Sequence, residues 1–181
     1  KILNQFVDIA SNQHFSSDEK VSKVKPLLLE NLDVEWMAKF TLGRHRKGLS
    51  QQQIGNFTSI YRSYLLASYS GAVKQYNGQK VQVYNIQNIS DTEYMVKTKI
   101  VREGQDPLLI DYGVRVYPGA LYKVFDVVTE GVSMITSQQS EFTNIITSDG
   151  FDSLGKELSE RIKHPDSEKS VAPVTTYDKK S

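Results

Sequence analysis

The 181-residue sequence contains no cysteine, which excludes disulfides, thiolate metal sites and a cysteine nucleophile. It also contains no apolar run near the roughly 18 residues that mark a membrane-spanning helix. Neither sign of charge is in excess, since 22 Lys and Arg face 21 Asp and Glu. A nucleic-acid-binding domain usually carries a strong basic patch or stripe, so the balance argues against nucleic acid as a partner.

Constellations of catalytic or metal-binding residues are also missing. The three histidines, His14, His45 and His164, are scattered and show no metal-ligand spacing. Ser133 lies in the sequence EGVSM, which lacks the Gly-x-Ser-x-Gly pattern of a nucleophile elbow. The sequence therefore predicts a protein that is no enzyme and that holds no metal and no cofactor.

Two helix starts carry capping boxes, in which a serine and a residue three positions later each satisfy a free backbone N–H. Ser16 with Glu19 marks one start, and Ser50 with Gln53 marks the start of the longest predicted helix. Pro26 falls inside the first of these helices, where its ring and missing N–H predict a kink or a division. The first part of the chain is therefore predicted to be helical.

Further helices are predicted on either side of the central region. Asp33 is a plausible N-cap for a helix that runs through Leu42 and is ended by Gly43. Near the C-terminus, one amphipathic helix is expected to stop at Gly150 and another to begin at Phe151.

Apolar and polar residues alternate with a period of two in the middle of the chain, clearly so over residues 94–100 and 108–116. This pattern indicates antiparallel strands with one buried and one wet face. We therefore predict an α+β fold, with helices packed on one face of a curved, mainly antiparallel four- to five-stranded sheet. A single domain is predicted over residues 1–163, followed by a polar tail, residues 164–181, that we expect to be disordered.

The last predicted strand, residues 122–135, breaks its own alternation. Even counting places Asp126 and Glu130 among aliphatic residues on the buried face, which is costly unless the carboxylates are paired. A β-bulge between Asp126 and Gly131 would turn them outward, and glycine tolerates the backbone angles of a bulge. We therefore expect a bulge that bends the sheet here rather than a catalytic carboxylate.

Several segments of the chain, taken in order, resemble one known family. They are MAKFTLGR at residues 37–44, the stretch from Tyr69 to YNGQKV at residues 76–81, the pair Asp111-Tyr112, YKVFDVVTEGVSM at residues 122–134, Phe142 and GFDSL at residues 150–154. Together they span about residues 34–162. They resemble the MlaC-like, or toluene-tolerance auxiliary, family, the phospholipid-binding component of the lipid-asymmetry pathway.

The resemblance implies a periplasmic phospholipid carrier that holds the acyl chains in an apolar cavity between the helices and the sheet. Its implied partners are an outer-membrane lipoprotein complex and an inner-membrane ABC transporter complex with its membrane-anchored, substrate-binding subunit. It also implies that the protein is not an enzyme.

Residues that line such a cavity can be selected by their inward parity on helices and strands. This criterion gives Phe57, Tyr61, Tyr64, Leu65, Tyr69, Val96, Ile110, Tyr112, Val114, Val124, Val128, Val132, Phe142 and Ile146. Of these, Val128 and Val132 are expected to face the acyl chains most directly.

A basic cluster, Arg44, Arg46 and Lys47, follows a predicted helix end. Cations at that position complement the helix dipole and remain solvated. The same three residues are also our candidates for contact with an anionic membrane or a partner protein.

Two other interpretations stay open. One is a small apolar-ligand binder or enzyme on a cone-shaped α+β fold, with Asp111 or Asp126 as a base, which requires a raised carboxyl pKa inside a pocket. The other is an interaction module with a closed core.

Overall fold

The computed structural model describes residues 2–76 and 78–164. Its helices and strands follow in the order α1 Ile2–Ala10, α2 Ser17–Asn31, α3 Val34–Thr41, a short 3-10 helix Gly43–Gly48, α4 Gln51–Gln75, β1 Val81–Ser90, β2 Glu93–Ile100, β3 Leu108–Tyr117, β4 Leu121–Thr129, β5 Val132–Ser133, α5 Met134–Asp149 and α6 Phe151–Lys163. None of the helices in these residues combines the length and the apolar character needed to cross a membrane.

The five strands form one antiparallel meander in the order β1-β2-β3-β4-β5, and among the described residues β1 pairs only with β2 and so forms a free edge of the sheet. Helices α2, α3 and α5 pack on β4. The predicted α+β fold, with helices against an antiparallel sheet, is therefore confirmed. Apart from His164, the predicted polar tail lies outside the described residues.

Both predicted capping boxes are present. The Ser16 N–H donates to Glu19 Oε2 at 2.8 Å, and the Ser50 N–H donates to Gln53 Oε1 at 2.9 Å. The two serine hydroxyls accept in return from the backbone N–H three residues later. Helix α2 continues through Pro26 as one element, so the helix is not divided there.

Asp33 precedes α3 as predicted, but its carboxylate does not cap the helix. Its Oδ2 atom instead accepts from the Tyr117 hydroxyl and from Arg115 Nη1, the latter at 3.3 Å. The local sequence predicts that the Asp33 carboxylate accepts from a backbone N–H of α3. In the structure it accepts from two side chains of β3 instead.

The strand predicted over residues 122–135 is wrong in its extent. β4 ends at Thr129, and Glu130 and Gly131 take positive φ values of 50° and 81°, which reverse the chain into β5. The bulge lies earlier, at Phe125, because Gly113 pairs with Asp126 while its neighbour Val114 pairs with Val124. Gly131 therefore serves a hairpin turn, and the bulge falls just before the predicted range.

Candidate functional site

One face of the sheet, which we call the inner face, is turned toward the helices. Directly paired residues on antiparallel strands place their side chains on the same face. Thr98 pairs with Ile110 and Tyr112 pairs with Val127, and the side chains of Thr98, Ile110 and Val127 are at most 3% exposed. On the opposite, outer face, Leu109 is 39% exposed.

A row of four apolar or aromatic side chains crosses the inner face from one side of the sheet to the other. Ile86 of β1 pairs with Val96 of β2, Val96 pairs with Tyr112 of β3, and Tyr112 pairs with Val127 of β4. We call this set the inner row. Its exposure falls from 62% at Ile86 to 3% at Val127, so the row leads from the free edge into the interior.

The middle of the inner row lies deep in the protein without being closely covered. The Tyr112 hydroxyl is surrounded by protein, and this burial raises its pKa to about 12. Yet Tyr112 and its neighbour Val96 both remain partly accessible. A closed core would leave almost no accessible surface on side chains at this depth. These residues are therefore less completely covered than the core of the helical layer.

Tyr69 of α4 lies near Tyr112 on the helical side. Burial is the main cause of the raised pKa of its hydroxyl, and the nearby Tyr112 adds to it. The hydroxyl donates to Met134 Sδ at 3.4 Å, and the Tyr69 side chain is itself partly accessible. Tyr69 and Tyr112 thus lie near each other where α4 approaches the inner face of the sheet.

Five of the residues predicted to line a cavity lie instead in the closed core of the helical layer. Their side chains are 2% exposed or less, and the aromatic rings among them contact one another. They are Phe57, Tyr61, Tyr64, Leu65 and Phe142. The Tyr61 hydroxyl also donates to Gln138 Oε1 at 2.6 Å, which fixes α4 against α5.

Four further predicted lining residues lie on the inner face of the sheet or on α5. Val114 and Val124 pair with each other and are partly accessible on the inner face, and Ile110 is fully covered there. Ile146 of α5 is partly buried against the core of the helical layer.

The parity prediction is wrong for Val128. The extra residue at Phe125 shifts the alternation by one, so Val127 takes the inner face and Val128 pairs with Asp111 on the outer face. Val132 follows the hairpin turn and is 60% exposed. Sequence reasoning missed Val127, because the position of the bulge depends on pairing with β3 and not on the local pattern.

The two carboxylates considered as a catalytic base do not face the space between the layers as free groups. Asp126 Oδ2 accepts from the Ser133 hydroxyl at 2.7 Å, and its Oδ1 accepts from the Ile135 N–H at 3.2 Å. Burial raises the Asp126 pKa, and these hydrogen bonds oppose the rise. Asp126 therefore anchors the start of α5, while Asp111 lies on the outer face with Val128.

An outer-face cluster that sequence reasoning missed ties α3 to the sheet. The Arg115 guanidinium lies 4.3 Å from the Trp36 ring centroid and 4.9 Å from that of Phe125. Its Nε and Nη2 atoms both donate to Glu93 Oε1, at 2.9 and 2.7 Å. Together with the Asp33 contact, this cluster holds the helical layer at the β3–β4 side of the sheet.

Two grooves lie on the helical side, away from the inner row. One, of about 270 Å³, lies between α2 and α4, and the other, of about 390 Å³, lies between α4 and α6. The larger has an apolar floor of Phe57, Ile60 and Phe151 and a charged rim that includes Lys156 and Glu160. Neither groove includes a residue of the inner row.

The basic cluster occupies the short 3-10 helix after α3. The side chains of Arg44, Arg46 and Lys47 are exposed, and within the described residues none of them forms an ion pair. Three uncompensated cations are therefore presented to solvent within four positions of the chain.

Comparison with known proteins agrees with this architecture. A curated relative from Haemophilus influenzae, the "Intermembrane phospholipid transport system binding protein MlaC", is 25% identical over 166 residues, which cover 88% of this chain and 78% of the relative. A solved phospholipid-binding protein from Ralstonia solanacearum, in complex with a phospholipid, has the same fold, with a TM-score of 0.77 at 19% identity. That match covers 90% of this chain and 93% of the Ralstonia protein.

The MlaC protein family as a whole matches residues 1–160. This match extends over helices α1 to α5 and the entire sheet, and over nearly all of α6. It includes every residue of the inner row and the basic cluster. The chain belongs to the MlaC protein family.

Proposed function

We propose that this protein is a phospholipid carrier that holds acyl chains between the inner face of the sheet and helices α4 and α5. Membership of the MlaC family supports this function, and so does the curated relative's name as an intermembrane phospholipid transport binding protein. The structural neighbour with a bound phospholipid has the same fold.

The observation that carries the proposal is the state of Tyr112. Its hydroxyl is deep enough for burial to raise the pKa to about 12, while its side chain remains accessible. Open apolar space at such depth forfeits dispersion contacts that a packed core would make. A ligand restores those contacts, and each methylene group that it buries contributes about 0.8 kcal/mol.

The proposed lining keeps five residues of the sequence-based set and adds one. Four come from the sheet and one from α4, and the addition is the buried Val127. The lining consists of Tyr69, Val96, Tyr112, Val114, Val124 and Val127. Tyrosine suits such a wall because its ring contacts apolar chains while its hydroxyl can still donate a hydrogen bond, as Tyr69 does to the sulfur of Met134.

We further propose that the carrier works in the periplasm and exchanges phospholipid with two membrane complexes. One is an outer-membrane lipoprotein complex, and the other is an inner-membrane ABC transporter complex with its membrane-anchored, substrate-binding subunit. The exposed cations of Arg44, Arg46 and Lys47 are proposed to contact an anionic membrane or an acidic partner surface. No catalytic role is proposed, since the buried carboxylate of Asp126 is engaged on both oxygens.

The test is solvent extraction of freshly purified protein, followed by mass spectrometry of the extract. We expect glycerophospholipid at about one molecule per chain, because an empty cavity would leave its lining poorly packed. Native mass spectrometry of the same sample distinguishes the alternatives. A bound small metabolite would favour the apolar-ligand binder, and a well-folded protein without any ligand would favour the closed interaction module.

A further inference from the structure

The exposed end of the inner row has no role in a closed lipid-binding cavity. Ile86 is 62% exposed and Val83, also on the inner face, is 49% exposed. Both belong to β1, and the helices that pack closely on the sheet do so three strands away, at β4. Within residues 2–76 and 78–164, no helix therefore packs closely on the inner face at β1, and this end of the face is exposed to solvent.

Strand β1 is unusual for a free edge. Its ten residues, VQVYNIQNIS, contain no charged residue and no proline. Edge strands commonly carry lysine or proline, which protect them from unwanted pairing, and exposed apolar patches usually mark a binding surface. Besides Val83 and Ile86, the strand exposes Tyr84 and Ile89 at 50% and 49%. Half of the ten residues are Gln, Asn or Ser, but none is charged, and the exposed apolar side chains between them fit an uncharged, apolar occupant.

Two irregularities argue against another protein strand as that occupant. The pairing of β1 with β2 shifts register between Val83 and Asn85 and again between Asn88 and Ser90. Bulges bend and twist a strand, which disfavours the flat hydrogen-bonded edge that strand addition requires. An acyl chain needs no hydrogen bonds, so the same irregularities do not hinder it.

We propose that the β1 end of the inner row is the portal through which acyl chains enter and leave the cavity. This inference rests on the proposed function as a phospholipid carrier. From Ile86 to Val127 the row crosses three strand spacings, or about 14 Å, with an apolar or aromatic side chain on every strand. An acyl chain that slides along the inner row exchanges one apolar contact for the next. None of the four side chains of the row is charged.

The absence of cysteine allows single thiols to be placed on either side of β1. Ile86→Cys puts a thiol on the inner face, and Gln87→Cys puts one on the outer face, where Gln87 pairs with Met95. Each variant is purified with bound phospholipid and then modified with a small anionic thiol reagent. Transfer of a fluorescent phospholipid to acceptor vesicles is measured before and after modification, so that each variant is its own reference.

We expect modification of Ile86→Cys to slow transfer about tenfold or more, since a charge in the path raises the barrier to passage of an acyl chain. Modification of Gln87→Cys should leave the rate within about twofold. Lipid already bound should stay bound in both variants, because the cavity itself is untouched.

Three results would overturn the portal. An unchanged rate after modification at position 86 would exclude it, and equal slowing at both positions would indicate contact with a membrane or protein surface instead. A concentration-dependent dimer that dissociates on modification at either position would assign the edge to a second copy of the chain. If the unmodified variants and the native chain all lack phospholipid, the proposed function itself fails, which the extraction reveals before any transfer is measured.

Discussion

The ring of Phe125 occupies the space beside Gly113, where an added Cβ would lie 2.9 Å from both the Cε2 and Cζ atoms of the ring. The ring cannot withdraw freely, because Trp36 packs against it at a centroid distance of 5.3 Å and Arg115 lies over it. The bulge that places Phe125 there is thus matched to a glycine on the neighbouring strand.

Gly113→Ala should therefore destabilise the fold. Overpacking of a filled site typically costs about 1–3 kcal/mol, and here either Phe125 or the β3–β4 pairing must shift. Chemical denaturation followed by circular dichroism measures the change. Gly55→Ala is the matched control, because nothing lies within 4 Å of its added Cβ in α4. Alanine there should stabilise the helix by up to about 1 kcal/mol, and equal effects of both variants would contradict the packing argument.

Adjacent substitutions on β2 separate the two faces of the sheet. Val96 lies on the inner row and Met95 pairs with Gly113 on the outer face, and both side chains are partly accessible. Val96→Glu should keep near-native circular dichroism and lose at least about tenfold in lipid affinity, which corresponds to about 1.4 kcal/mol. Met95→Glu should retain its lipid. Solvent extraction followed by mass spectrometry measures the phospholipid bound by each variant. A full lipid load in Val96→Glu would show that Val96 does not line the cavity.

The Ser133 hydroxyl gives a prediction that depends on pH. Burial raises the pKa of Asp126 in the folded state above its value in the unfolded state. The ionised carboxylate therefore destabilises the folded state at neutral pH. The protein becomes more stable as the pH falls through the folded-state pKa and the carboxylate is protonated. The Ser133 hydrogen bond stabilises the ionised form and offsets part of this cost. Ser133→Ala should therefore raise the Asp126 pKa further and destabilise the protein more at neutral pH than under acidic conditions where Asp126 is protonated.

Ser50→Ala is the control for this experiment. Ser133 and Ser50 both cap a helix by accepting from a backbone N–H, so each substitution should cost about 1 kcal/mol through the lost cap. The partner of the Ser50 cap is the amide side chain of Gln53, and no carboxylate of the described residues is bonded to it. Thermal melts across a pH series should show a pH-dependent difference for Ser133→Ala alone, and parallel curves for the two variants would disprove the coupling.

The basic cluster predicts a dependence on salt. If Arg46 meets an anionic surface, Arg46→Glu should slow lipid transfer to anionic vesicles and flatten the dependence of the rate on ionic strength. Retention of lipid should not change, because Arg46 lies outside the proposed lining. Lys80→Glu makes the same change in net charge at another exposed position. Equal slowing by both variants would indicate a general charge effect, and no slowing would leave the cluster as a solvated helix end.

The parts of the fold that follow from neighbouring residues could be predicted from the sequence. The capping boxes at Ser16 and Ser50 and the alternation in β2 and β3 involve partners a few positions apart, and the structure contains them. The role of Asp33 could not be predicted in this way, because Arg115, its partner, is 82 residues distant.

The candidate site was harder to predict for the same reason. Period-two counting holds only until a residue is inserted, and the insertion at Phe125 depends on the space left by Gly113 on another strand. The shift exchanged Val128 for Val127 on the inner face. Periodicity also cannot tell a packed aromatic core from a cavity wall, and so Phe57 and Tyr112 looked equivalent in the sequence, although Phe57 is only 2% exposed and Tyr112 is partly accessible.

The meander order of the sheet has a consequence for how the chain folds. Each strand pairs with the next along the chain, so the sheet requires only short loops to close and can form early. The N-terminal helices join it through distant contacts at β4, such as the Asp33 N–H donating to the Val124 carbonyl at 2.8 Å and Lys123 donating to the Glu30 carbonyl 93 residues away. We therefore expect docking of these helices to be the slow, entropically costly step of folding, and the proposed lipid-binding layer to be completed only when it occurs.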